Sequence, residues 1–339
     1  PMILRRLILS LCAAALMGGP ALAQTRTVAV TFDDLPYQAS SEALCDPVQA
    51  LALTRDFLAM LEPLDSHATA FVNTGKVCEP QQATLLPEVL NAWLDAGLDL
   101  GNHTTNHVNI HRITPEEYLA DVDAGAPALR SALEARRGTL RYFRHPYLFT
   151  GDSPEKHDAI AAGLAARGYV IAPVTIDNVD WMFADVYRKA EQLGDAALKR
   201  RVGEAYVAFM TTVLDHFEPY SAEITGGREP AQVLLLHAST LNRDWYPAID
   251  ALFRARGYKF VTLEQALADP IYPAMLPMLF DEGWAKLNAS DGISWLHRWT
   301  VTDDRPIRWE PDPPAWIVAA NEGTVEDLAA ALAAGTAGL

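Results

Sequence analysis

Thr27-Val28-Ala29-Val30-Thr31-Phe32-Asp33-Asp34 decides how this chain folds. The first six residues are apolar or β-branched, the composition of a strand buried on both faces. Two carboxylates stand where that run ends. Successive side chains leave a strand in different directions, so one Asp can bind a metal while its neighbour stays free to transfer a proton. A plain strand-ending turn would also use Asp-Asp, and the rest of the chain must separate the two readings.

Six further short apolar runs follow, at 68–72, 98–102, 140–143, 170–174, 233–236 and 258–261. Helix signatures lie between them. Asp46-Pro47 supplies a cap and a first-turn proline. Thr114-Pro115-Glu116-Glu117 is a capping box opening a helix that ends near Gly138. Ser153-Pro154 opens another, closing at Arg167-Gly168, and Thr262-Leu263-Glu264-Gln265 is a second capping box. Strands alternating with helices predict parallel βα units, as a barrel or a doubly wound sheet. Residues from about 185 to 230 read as a helical insertion, with Val202, Tyr206, Phe209, Val213 and Phe217 near one-face spacing. Residues 271–339 form a C-terminal extension holding Trp284, Trp295, Trp299, Trp309 and Trp316, proline-rich at 305–314 and Ala/Leu-rich at 325–334. We expect it to pack on the barrel rather than to offer a sugar-stacking platform.

Arg5 and Arg6 precede an apolar stretch at 7–17, and Ala21-Leu22-Ala23 gives small residues at a cleavage point. This predicts a signal peptide over 1–23 and an exported protein, periplasmic or extracellular. Cys12 leaves with the leader, and the even pair Cys45 and Cys78 then predicts one disulfide. The chain carries 27 Lys+Arg against 43 Asp+Glu, a net charge of -16. Such acidity argues against nucleic acid or an anionic membrane as partner. No later segment is long and apolar enough to span a bilayer.

Gly101-Asn102-His103-Thr104-Thr105-Asn106-His107 follows the third strand. A helix from His103 would set both imidazoles on one face at i and i+4. With a carboxylate from another strand end they make a two-His, one-Asp metal site that leaves positions open for water or substrate. Arg144-His145-Pro146-Tyr147 offers a guanidinium to hold a carboxylate ionised and, at Tyr147, a backbone N–H for an oxyanion. Asp177-Asn178-Val179-Asp180-Trp181 and Leu234-Leu235-Leu236-His237 follow. A His ending so apolar a strand suits a general acid, particularly if an Asp charges it. His111 and His145 read as bystanders.

These motifs, in this order and each after a predicted strand, resemble the polysaccharide deacetylases of carbohydrate esterase family 4 over roughly residues 26–270. The resemblance implies an α/β fold, a distorted (β/α)7-8 barrel over about 24–270. It implies one divalent metal per chain, usually zinc, on Asp34, His103 and His107. Asp33 would be the general base, oriented by Arg144. His237 would be the general acid, tuned by Asp180 with Asp177 a near competitor. Leu235 would line the acetyl pocket and Trp181 would wall the site. The chain departs from the family at Leu35-Pro36, where Gly-Pro is usual, and by its helical insertion and C-terminal extension, and we expect all three to shape the substrate groove. The expected activity is metal-dependent removal of N- or O-linked acetyl from a glycan or small acetylated substrate. A same-fold hydrolase of a non-sugar amide or ester is an alternative. So is a non-haem iron enzyme on the same three ligands, which usually wants an all-β scaffold. The intact acid and base positions weigh against a catalytically dead binding module.

Overall fold

A computed structural model describes residues 25–275 and 310–334. The predicted leader and Trp284, Trp295, Trp299 and Trp309 lie outside the described residues.

The opening run becomes β1 (Arg26–Leu35), with Val28, Ala29, Val30 and Phe32 fully buried. Each of the other predicted runs also forms a strand: β2 (Thr69–Val72), β3 (Asp99–Asn102), β4 (Tyr142–Phe143), β5 (Val170–Ile171), β6 (Gln232–His237) and β7 (Tyr258–Phe260). All pairs are parallel, in the order β5-β4-β3-β2-β1-β6, with β7 also on β1. Past β5 the chain returns to β6, where Ile176 bridges Leu234. The sheet therefore curls towards closure, and the fold is the distorted α/β barrel the sequence predicted.

Helices surround it: α1 (Ser41–Cys45), α2 (Pro47–Leu61), α3 (Gln82–Asp95), α4 (Pro115–Glu134), α5 (Pro154–Ala166), α6 (Asp180–Gln192), α7 (Ala196–Ile224), α8 (Thr240–Ala255), α9 (Leu263–Leu267), α10 (Ile271–Met275), α11 (Ala315–Glu322) and α12 (Val325–Ala333). Both predicted capping boxes form, at Thr114/Glu117 and Thr262/Gln265, and Asp46 caps α2. The stretch read as a helical insertion holds α6 and α7. It starts at Asp180, ahead of the expected 185, because side chains prepare its first turn. Asp177 Oδ1 accepts the N–H groups of Asn178 and Val179, and Asn178 Oδ1 accepts that of Asp180.

The core is aromatic beneath β1. Phe32 meets Phe57, Trp93 and Tyr246 at ring-centroid distances of 5.1, 6.2 and 5.7 Å. Leu35 joins this core with no exposed surface. It therefore packs inside and does not shape the groove, contrary to expectation. Cys45 and Cys78 are disulfide-bonded with Cα atoms 5.1 Å apart, tying α1 to the segment before α3.

The described part of the C-terminal extension packs on the insertion. Lys189 of α6 is buried and donates to the carbonyls of Ala320, Asn321 and Gly323 at 2.8, 2.8 and 2.6 Å. These are carbonyls at the end of α11, which lack helical partners. Asp185, 2.7 Å away, balances the ammonium. No described helix is long and apolar enough to cross a membrane.

Candidate functional site

Parallel strands place their C-terminal ends together, and the chemistry-bearing residues follow those ends. Asp33 of β1 stands opposite His237 of β6 in the strand register. The pairing of β1 with β2 shifts between Phe32 and Leu35. Asp34 sits in that irregularity with φ of 70°, and its side chain leaves in another direction from that of Asp33.

His103 and His107 are not on a helix. They lie in the irregular segment after β3, where Thr104 has φ of 65° and His107 of 50°. Side chains take the N–H groups a helix would use. Asn102 Oδ1 accepts from Thr104 at 2.8 Å, while Asp121 Oδ2 accepts from Thr105 and Asn106 at 3.0 and 2.9 Å. Asn73 Nδ2 holds the segment from the other side, donating to His103 O at 2.5 Å. The loop still brings the two rings to 5.0 Å between centroids.

Asp34 Oδ1 lies 3.6 Å from His103 Nε2 and 3.4 Å from His107 Nε2. One ligand atom from each residue fits within 4.8 Å of the others. His103 Nδ1 is 2.8 Å from the Arg144 carbonyl. A carbonyl only accepts, so Nδ1 carries the proton and Nε2 presents its lone pair. Burial pushes both imidazoles towards the neutral form, His103 the more strongly. Asp34 is held far below the usual carboxylate range. Burial opposes its ionisation, but Lys76, then His107, His237 and His103, outweigh it. Lys76 Nζ sits 3.1 Å from Asp34 Oδ2 and 3.1 Å from Asp34 O. Asp34 Oδ1 itself is buried without a hydrogen-bond partner. An orphaned carboxylate oxygen facing two imidazole nitrogens is costly unless a cation joins it. The donor set therefore fits a divalent metal.

Asp33 is 3% exposed, and Arg144 is fully buried against it. Arg144 Nη1 reaches both carboxylate oxygens of Asp33 at 3.1 and 3.2 Å. Its Nε donates to Ala172 O at 2.7 Å and its Nη2 to Thr31 Oγ1 at 3.1 Å. Its guanidinium lies over the Phe71 ring at 4.5 Å. Burial raises the Asp33 pKa to about 6 in spite of Arg144.

His237 answers across the site. Its Nδ1 is 2.7 Å from Asp180 Oδ1. Asp180 Oδ2 accepts from the His237 backbone N–H at 2.8 Å and from Asn242 Nδ2 at 2.7 Å. Burial disfavours the imidazolium, yet Asp180, reinforced by Asp34 and Asp33, lifts the His237 pKa to about 9. Asp177 does not fill this role. Its Oδ1 is occupied in the turn ahead of α6, and burial, then Glu310, raises its pKa to about 7.

Asp33, Asp34, His103, His107, Asp177 and His237 open on one cavity of about 420 Å³. Leu235 lines its wall, and Tyr147 and Trp181 stand at it 47% and 42% exposed. The Tyr147 ring packs 4.5 Å from that of His107. His145 also lines the cavity, its Nδ1 2.9 Å from Tyr118 Oη. His111 stacks on Phe149 instead, at 4.1 Å. Three supporting residues were not expected from the sequence. Thr31 was visible as a hydroxyl in an apolar strand, but Lys76 and Asn242 carry no local signal.

Residues 23–167 match the family model for polysaccharide deacetylase. The chain is 28% identical over 158 residues to a chitooligosaccharide deacetylase of Bradyrhizobium sp. (strain ANU 289), an alignment covering 46% of this chain and 59% of that one. The chain thus spans less than two thirds of that relative's length. Among solved structures it is similar to a CE4 family pseudoenzyme from Bacillus anthracis, with TM-score 0.48, 15% identity, 72% of this chain and 66% of that one covered. It is also similar to a family 4 carbohydrate esterase from Streptomyces lividans in complex with acetate, with TM-score 0.45, 20% identity, and 71% and 95% covered.

Proposed function

From a chain whose residues 23–167 match the polysaccharide deacetylase family model, we propose a metal-dependent hydrolase that removes acetyl groups from a carbohydrate. The observation that carries this reading is the split between the adjacent carboxylates. Asp34 Oδ1 faces two imidazoles, whereas Asp33 is clamped by Arg144 opposite a His237 charged by Asp180.

Asp34, His103 and His107 would hold the metal, which when bound polarises an acetyl carbonyl and makes hydroxide accessible near neutral pH. Asp33 takes the proton of the attacking water on a carboxylate oxygen. Arg144 keeps that carboxylate in place without removing its basicity, since the Asp33 pKa stays near 6. The Tyr147 N–H stabilises the oxyanion formed on the acetyl oxygen. His237, bound to Asp180 through Nδ1, gives the Nε2 proton to the departing sugar nitrogen or oxygen. The C–N or C–O bond breaks and acetate leaves. Base and acid are both in their working forms between about pH 6 and 9. Leu235 shapes the space for the acetyl methyl, and Trp181 walls the sugar. The Cys45–Cys78 disulfide and the leader-like residues 1–23 support an exported protein.

Acetate release is the test, measured over N- and O-acetylated glycans and aryl acetates with metal content determined on the same sample. A zinc-loaded protein that releases acetate from none of them refutes the reading.

A further inference from the structure

Lys76 ends a short 3-10 turn, Thr74–Lys76, that follows β2. Its Nζ lies 3.1 Å from Asp34 Oδ2 and 3.1 Å from the Asp34 carbonyl oxygen. Among the described residues it pairs with no other carboxylate. We propose that Lys76 is a positioning residue of the metal centre, which restricts Asp34 to its Oδ1 atom and holds the affinity for a divalent ion below what the three ligands alone would give. This rests on the metal site of the deacetylase reading and adds a control on it.

The turn that carries Lys76 is fixed on both sides. Asn73, fully buried, donates from Nδ2 to the carbonyls of His103 and Thr104. The Gly75 N–H donates to Thr105 O at 2.9 Å, and the Lys76 N–H to Asn73 O at 3.1 Å. A Cβ at Gly75 would stand 2.7 Å from Asn106 Oδ1 and 2.8 Å from Thr105 O, so only glycine lets the turn lie this close to the His103–His107 segment. On the far side Gln82 Nε2 donates to Thr74 O at 2.7 Å, and Cys78 is bonded to Cys45. One turn thus carries the ammonium and supports the loop that bears both imidazoles. Asp34 cannot swing Oδ2 towards them without giving up a charge-assisted hydrogen bond. Oδ1 remains, without a hydrogen-bond partner and 3.6 and 3.4 Å from the two Nε2 atoms.

The charges around that atom are already matched. Arg144 pairs with Asp33, Lys76 with Asp34, and His237 with Asp180. The other two ligands are imidazoles, which bind an ion in their neutral form. A divalent ion at Oδ1 therefore meets no net negative charge and shares one carboxylate with an ammonium. The Lys76 and Asp34 side chains are only 26% and 14% exposed, so water screens that repulsion weakly. The same ammonium supplies the partner Asp34 needs when no ion is bound, and the fold does not then depend on metal.

The test is zinc affinity, read by competition with a chromophoric chelator on metal-free protein. Lys76→Met removes the ammonium and should tighten zinc binding about tenfold or more, the sign of relieved repulsion at an effective dielectric constant of about 20. Lys76→Gln keeps a donor for Oδ2 but no charge, and should tighten it as well. Lys76→Arg keeps the charge and should bind zinc as wild type does. Thermal melting gives a second reading. Metal-free Lys76→Met should melt below wild type, and saturating zinc should raise its Tm by more than it raises that of wild type. A structural role alone would lower both forms together and leave the affinity where it was. Zinc affinity unchanged or weakened in both the Met and Gln variants overturns the proposal and leaves the metal site standing. If neither wild type nor any variant takes up zinc, the metal site falls and the proposal with it. Tightened zinc binding without acetate release from any substrate sinks the deacetylase and keeps the role of Lys76.

Discussion

Asp180→Asn should move the alkaline limb of the pH–rate profile and leave the rest of the site in place. Asp180 touches only the acid side of the machinery. It accepts from His237 Nδ1, the His237 N–H and Asn242 Nδ2, at 2.7, 2.8 and 2.7 Å. An Asn of the same shape can turn its oxygen to the latter two donors and its NH2 to Nδ1. The ring stays put, but the charge that raised its pKa is gone. Burial already pushes His237 down, so without Asp180 its pKa falls from about 9 to the ordinary 6.5 or below. That change corresponds to roughly 3 kcal/mol. At pH 8 the protonated fraction then drops about 30-fold, whereas at pH 6 it drops less than twofold. The Asp33 ionisation cancels in the ratio of variant to wild type at each pH. Acetate release by zinc-saturated protein from pH 5.5 to 9.5 gives the ratio directly. A loss equal at all pH values, or an alkaline limb still near 9, would refute Asp180 as the group that charges His237. The same linkage acts on stability. A folded pKa above the unfolded one gives stability that is complete below 6.5 and lost as pH rises through 9. The variant should therefore unfold more easily than wild type at pH 6, and the gap should close above pH 9.

Asp34→Asn or His103→Ala should abolish stoichiometric zinc and activity together, whereas Asp33→Asn should keep the metal and lose about 10²–10⁴ in kcat; metal analysis on the assayed samples separates the cases. Arg144→Met leaves the Asp33 carboxylate buried without its partner, at a cost of about 3–5 kcal/mol when ionised. Because the Asp33 folded pKa of about 6 lies above the ordinary 3.8, protonation relieves the strain, so the melting deficit of the metal-free variant should be larger at pH 8 than at pH 5; a pH-independent deficit would contradict this. Replacing Cys45 and Cys78 by Ala opens a link over 33 residues, worth roughly 3–4 kcal/mol by loop entropy, and denaturant titration should show a loss of that order.

Short apolar runs and cap residues act locally, and that is why the fold was legible. Each of the seven runs became a strand, and Asp46, Thr114, Ser153 and Thr262 all cap the helices they were read to open. The insertion boundary was missed because it depends on Asp177 and Asn178 bonding forward into a turn. Leu35 was misplaced because a strand residue next to a site can face either side, and only the tertiary packing buries it fully.

Sequence by itself determined the chemical inventory of Asp33-Asp34: two carboxylates at a strand end, with two His, an Arg and a further His after other strands. Residue type and strand order carry that much because parallel strands must bring their C-terminal ends together. Which carboxylate faces which partner was decided only in three dimensions. Register sets Asp33 across from His237, and the irregular pairing after Phe32 turns Asp34 to the imidazoles. Asn73, Asn102 and Asp121, distant in sequence, bend the His103–His107 segment out of a helix and still converge its rings. Lys76 and Asn242 complete the two charged centres through contacts spanning 42 and 62 positions. Hydrogen-bond partners and burial at such separations are products of packing, and no local pattern encodes them.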